Sequence, residues 1–133
     1  MAPQRTGSVP ERTGIPPMAD GLHAVEAALF LVLAAGTEMP VACRTPSPAV
    51  AECGVRGVAY LQSDGSIVLP GRIRVDRSRS DVIRMSNGVE GRRGSTGWIS
   101  FSNGLVVRRE QGRWRFSGGL ICAATAADRG ECR

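Results

Sequence analysis

A chain of 133 residues has room for about one domain. With 42% apolar and 22% charged residues it falls outside the disordered, collagen-like and multi-span membrane classes. Its 17 glycines, eight prolines and six aromatic residues argue against a helical bundle. The net charge is +5 and all 17 basic residues are arginine, eleven of them between Arg72 and Arg115.

The first 21 residues are rich in Pro, Gly and Arg without a hydrophobic period, and read as a leader that is unstructured or removed. Residues 27–36 then form an unbroken apolar run of Ala, Leu, Phe, Val and Gly, dominated by strong helix formers. Ten residues reach only about 15 Å as a helix, and a bilayer core needs about 20 residues. Counting from Leu22 through Met39 approaches that length if Glu26 and Glu38 are tolerated. A buried core helix is the other reading of the same run.

Residues 22–66 are expected to be helical throughout. In 44–65, Ser47 and Pro48 make a sound helix start, and Val50, Cys53, Gly57, Val58 and Leu61 share one helical face. From Arg72 the period changes to two, which predicts an antiparallel β domain over 67–123. Its strands are expected at 72–76, 80–85, 98–101, 105–107, 113–116 and 120–123, with turns at Asn87-Gly88 and Asn103-Gly104. The tail, 124–133, is expected to be loose unless Cys132 ties it to Cys122.

Four cysteines form two equally spaced pairs, Cys43/Cys53 and Cys122/Cys132. The spacing is too wide for a CxxC knuckle or redox motif, and His23 is remote from both pairs, so neither metal nor cofactor is expected. Disulfides in an oxidising compartment are one expectation; buried unpaired thiols are the other.

Gly21, followed by the aliphatic Leu22 and then by Glu26 at the opening of the apolar run, resembles the type IV pilin and pseudopilin signal. The run SPAVAECGVRGVAYLQSDGSIVLPGRIRV (47–75) and the segment EGRRGSTGWI (90–99) are similar to the minor pseudopilins of the GspH/FimT class. The resemblance implies an α+β, pilin-like fold, an N-terminal hydrophobic helix followed by a small, mostly antiparallel sheet. It implies cleavage between Gly21 and Leu22 by a prepilin peptidase and assembly with other pseudopilins, Glu26 meeting a neighbour's N-terminal amine. It places the helix in a bacterial inner membrane, the β domain in the periplasm, and the whole in a type II secretion or type IV pilus system. The zero net charge of the leader, and Glu38 and Pro40 within the helix, depart from the family pattern.

No enzyme motif is present: the carboxylates are scattered, Gly94-Ser95-Thr96-Gly97 is not a nucleophile elbow, and no phosphate-cradling glycine loop occurs. The alternative to the structural subunit is a small β-rich binding domain. Its basic face, drawn from Arg72, Arg74, Arg108, Arg113 and Arg115 with Trp98, Trp114 and Phe116 interleaved, would contact single-stranded nucleic acid. Strict alternation works against aromatic stacking there, because Trp114 and Phe116 point inward if Arg113 and Arg115 point outward.

Overall fold

The computed structural model describes residues 21–36, 38–77 and 81–133. Residues 1–20, 37 and 78–80 lie outside the described residues, and with them the expected leader through residue 20, most of a hairpin turn expected at Arg77-Ser78-Arg79 and the first residue of the strand expected at 80–85. Among the described residues one helix, α1 (Ala24–Ala35), precedes twelve strands: β1 (Val41–Ser47), β2 (Val50–Glu52), β3 (Val58–Leu61), β4 (Ile67–Leu69), β5 (Ile73–Asp76), β6 (Val82–Met85), β7 (Glu90–Arg93), β8 (Ile99–Phe101), β9 (Val106–Glu110), β10 (Arg113–Phe116), β11 (Ile121–Ala126) and β12 (Arg129–Cys132). Each strand pairs antiparallel with the next. β1 pairs with β12 from Val41↔Cys132 to Arg44↔Arg129, closing the sheet into a barrel without a free edge.

This closed barrel overturns the expected α+β, pilin-like fold. The apolar run is helical for 12 residues only, and among the described residues no helix is long and apolar enough to cross a membrane. The helix is enclosed: Ala27, Ala28, Leu29, Phe30, Leu31, Val32 and Leu33 are all at most 4% exposed. A helix apolar all round is one surrounded by protein or by lipid; here the surroundings are the barrel wall. About eight strands leave an interior filled by side chains alone, and twelve leave room for a helix of about 10 Å diameter.

The helix is not central. It packs mainly on β12, β1 and β11, and this explains why 44–65 was misread as helical. That segment holds most of β1, all of β2 and β3, and a short 3₁₀ turn at Gly54–Arg56. Its inward positions are small: Ala51 faces Ala59 across the β2–β3 ladder, both fully buried, and Cys53 is buried directly after β2. Small residues give little contrast with their neighbours, so the strand alternation is muted and a helical period appears by coincidence. Gly130 on β12 is the extreme case, since a Cβ there would lie 2.6 Å from the backbone of Val25.

Antiparallel pairing sends the turns alternately to two ends of the barrel, and the helix is tied at both. At one end the Leu22 amide donates to the Pro48 carbonyl at 2.8 Å, and Arg77 pairs with Glu26 at 2.7 Å with both side chains largely buried. At the other, Asn87 and Asn103 donate to the Ala34 and Leu33 carbonyls at 3.1 and 2.8 Å. These are carbonyls that a helix end cannot satisfy by itself.

The two asparagines belong to a repeat. Met85-Ser86-Asn87-Gly88-Val89, Phe101-Ser102-Asn103-Gly104-Leu105 and Phe116-Ser117-Gly118-Gly119-Leu120 recur 16 and then 15 residues apart. All three turn with the same backbone bonds: the first residue donates to the carbonyl of the fifth, the fourth to that of the first, and the serine to a strand one hairpin back. Gly88 and Gly104 have φ of 96° and 93°, which the asparagine–glycine pairs supply without strain.

Candidate nucleic-acid interface

Charge is divided unevenly along the chain. Residues 72–115 hold eleven arginines against four acids, a surplus of +7, and the remainder holds six against eight, a deficit of −2. The barrel converts that stretch into one wall, β5 to β10. Exposed Arg74, Arg84, Arg92, Arg108 and Arg115 alternate there with inward Val75, Met85, Gly91, Val107 and Phe116. A barrel facing lipid would instead carry an apolar outer band.

Among the arginines expected at a binding face, Arg108, Arg113 and Arg115 come together. Arg108 and Arg115 are direct cross-strand partners, and Arg113 faces Glu110. Like charges directly opposite are unfavourable. Glu110 relieves them from 3.7 Å to Arg108 and 3.8 Å to Arg115, both beyond hydrogen-bond length. Their N–H donors therefore remain available to an external anion. Arg113 and Arg93 make no ion pair among the described residues.

The other two expected arginines stand apart. Arg72 occupies a left-handed turn position, φ 64°, at the end of the barrel. Arg74 is held by Asp64, whose carboxyl lies below its ordinary range, first through hydrogen bonds from the side chain and backbone of Ser66 and then through Arg74.

Sequence reasoning missed Arg92 and Arg93, because no strand is expected between 85 and 98, where Glu90–Arg93 forms β7. Arg92 shares Glu90 with Arg84, at 3.7 and 2.7 Å. The Arg84 hydrogen bond, aided by the charges of Arg92 and Arg84, holds the Glu90 carboxyl low against a partial loss of solvation. The adjacent pair Arg92-Arg93 was the available signal.

The aromatic residues divide as alternation requires. Phe101 and Phe116 are buried at 5% and 4%. Trp98 and Trp114 are half-buried, with the Arg108 guanidinium 5.7 Å from one ring centroid and that of Arg109 5.8 Å from the other. Both distances are within cation–π range.

The remaining expected sites fall elsewhere. Gly21 and Leu22 are buried where the chain enters the barrel, and Glu26 is paired within the chain to Arg77. Both disulfides are formed, Cys43–Cys53 and Cys122–Cys132, with Cα–Cα distances of 4.1 and 3.9 Å. The second ties the expected loose tail into the β11–β12 ladder. His23 is exposed at the helix N-terminus. No group of three His, Cys, Asp or Glu able to hold a metal ion occurs among the described residues.

An open groove of about 620 Å³ lies over β1, β2 and β12, lined by Arg44, Glu52, Gly54, Gly57, Arg129 and Glu131. Its charges pair with one another or with close neighbours, Arg44 with Glu52 at 2.8 Å and Glu131 with Arg133. Comparison with protein-family profiles, curated proteins and solved structures finds no match to this chain.

Proposed function

We propose that the protein is a non-catalytic binding module whose arginine wall, β7 to β10, holds single-stranded nucleic acid. The observation that carries this reading is the outward group of Arg108, Arg113 and Arg115 around one acid, Glu110, with Arg92 beside Glu90 on the same wall, within a stretch of net charge +7. Phosphate contacts by arginine supply most of the affinity in such complexes. The wall is a sheet curved outward and lacks a protruding helix or ribbon among the described residues, the elements that read a duplex groove. A flexible single strand can follow a convex surface.

The binding reading is preferred because it uses the barrel as it stands. A pseudopilin role would require residues 22–35 to leave the barrel, break the Glu26–Arg77 pair and expose a core that the strands enclose. The two disulfides support work in an oxidising compartment.

The test is fluorescence anisotropy of a labelled 20-nucleotide oligothymidine against the intact chain over a salt series. Binding is expected to fall with salt at a logarithmic slope of about −2 to −3, as three or four phosphate contacts require. Replacing Arg92, Arg108, Arg113 and Arg115 together by Gln is expected to abolish binding at 150 mM salt, and replacing Arg44, Arg129 and Arg133 to leave it within about twofold. No binding at 50 mM salt, or equal loss in both variants, would overturn the reading.

A further inference from the structure

We infer, building on the binding reading above, that the wall recognises the phosphodiester backbone and not the bases, so that a base-free phosphodiester chain binds as well as a nucleic acid. Base recognition by single-strand binders relies on aromatic faces open to stacking. On this wall none is open. Trp98 lies under Arg108 and Trp114 under Arg109, and Phe101 and Phe116 are core. The most exposed aromatic residue, Tyr60 at 48%, is on β3 and outside the basic wall.

The tryptophans act instead on the arginines. A guanidinium resting on a ring is partly ordered before a ligand arrives and loses less freedom on donating to phosphate. Arg108 is such a group, and its cross-strand partner Arg115 places a second fork beside it. Arg113 and Arg115 project from the same face of β10 two residues apart, about 6.8 Å. The array is a ladder of charge for a linear polyanion, with no open aromatic face beside it among the described residues on which a base could stack.

The experiment compares the wild-type chain with two labelled 20-mers of equal charge, oligothymidine and the same backbone carrying abasic tetrahydrofuran units throughout. Dissociation constants within twofold of each other are expected. The emission of the two tryptophans, the whole indole complement of the chain, is expected to change equally with both ligands. Stacking is worth about five- to 150-fold per base, so an abasic chain bound tenfold or more weakly would overturn the inference and leave nucleic-acid binding intact. Quenching by oligothymidine alone would also overturn it. Failure of both 20-mers to bind would overturn the binding reading itself. If both bind equally, competition by poly(glycerol phosphate) then separates a base-free source of the same phosphodiester from a nucleic acid.

Discussion

Two walls of the barrel solve opposite problems. The seam wall, β11, β12, β1 and β2, lies against the helix, and its inward residues are mostly small, Gly130, Ala51, Cys43, Cys53, Cys122 and Cys132, with Val41 the larger one. The basic wall, β5 to β10, lies across the barrel, and its inward residues include Val75, Met85, Ile99, Phe101, Val107 and Phe116. Interior side-chain size therefore follows the off-centre position of the helix: small where its backbone is near, large where space remains. Close packing of the interior requires this compensation. The seam wall contributes stability through its two bridges, and the basic wall carries the charge.

The largest test of that division is removal of both disulfides. Each is expected to contribute about 2–3 kcal/mol, so urea melts with and without reductant should differ by about 5 kcal/mol. Hydrogen exchange should rise first in β1, β2, β11 and β12. Equal early exchange in β7 to β10 would show that the walls are not separate in stability.

A smaller effect comes from adding one methyl group to each wall. Gly130→Ala places its Cβ against the Val25 backbone, which cannot yield without moving the helix, and is expected to cost about 3 kcal/mol. Gly91→Ala meets one edge of the Phe101 ring, a side chain that yields more readily than helix backbone, and about 1 kcal/mol is expected. The reverse ranking in thermal melts would refute the account of interior volume.

The smallest effect is set by pH and confined to the basic wall. Glu90 has a lowered carboxyl pKa in the folded state, with an ordinary value of 4.5. Its contribution is therefore fully present above that value and is lost as pH falls through the folded value. Acid titration should leave stability flat from neutrality to about pH 5 and let it decline below the ordinary carboxylate range. Glu90→Gln should shallow that decline; an unchanged profile would remove Glu90 as its source.

Much of the basic wall was legible in advance. Arg113-Trp114-Arg115-Phe116 and Arg72-Ile73-Arg74-Val75 alternate large apolar with charged residues, and β10 and β5 lie there. Asn87-Gly88 and Asn103-Gly104 marked real turns, although not that their asparagines would hold the helix carbonyls. The seam wall was not legible, because alanine, cysteine and glycine facing inward leave no hydrophobic contrast to read. β7 was missed for the same reason, with Gly91 as its inward residue.

By itself the sequence determined an apolar run of ten helix-forming residues, though not that the helix ends at Ala35, together with a run of short alternating strands and an arginine-rich stretch, since each follows from local composition and period. Only the tertiary structure decided what surrounds the helix. An apolar run is compatible with lipid, with a neighbouring subunit or with a barrel interior, because all three remove it from water equally well. The choice rests on contacts distant in sequence: β1 meeting β12, Arg77 reaching Glu26, and two turn asparagines closing on the last helical carbonyls.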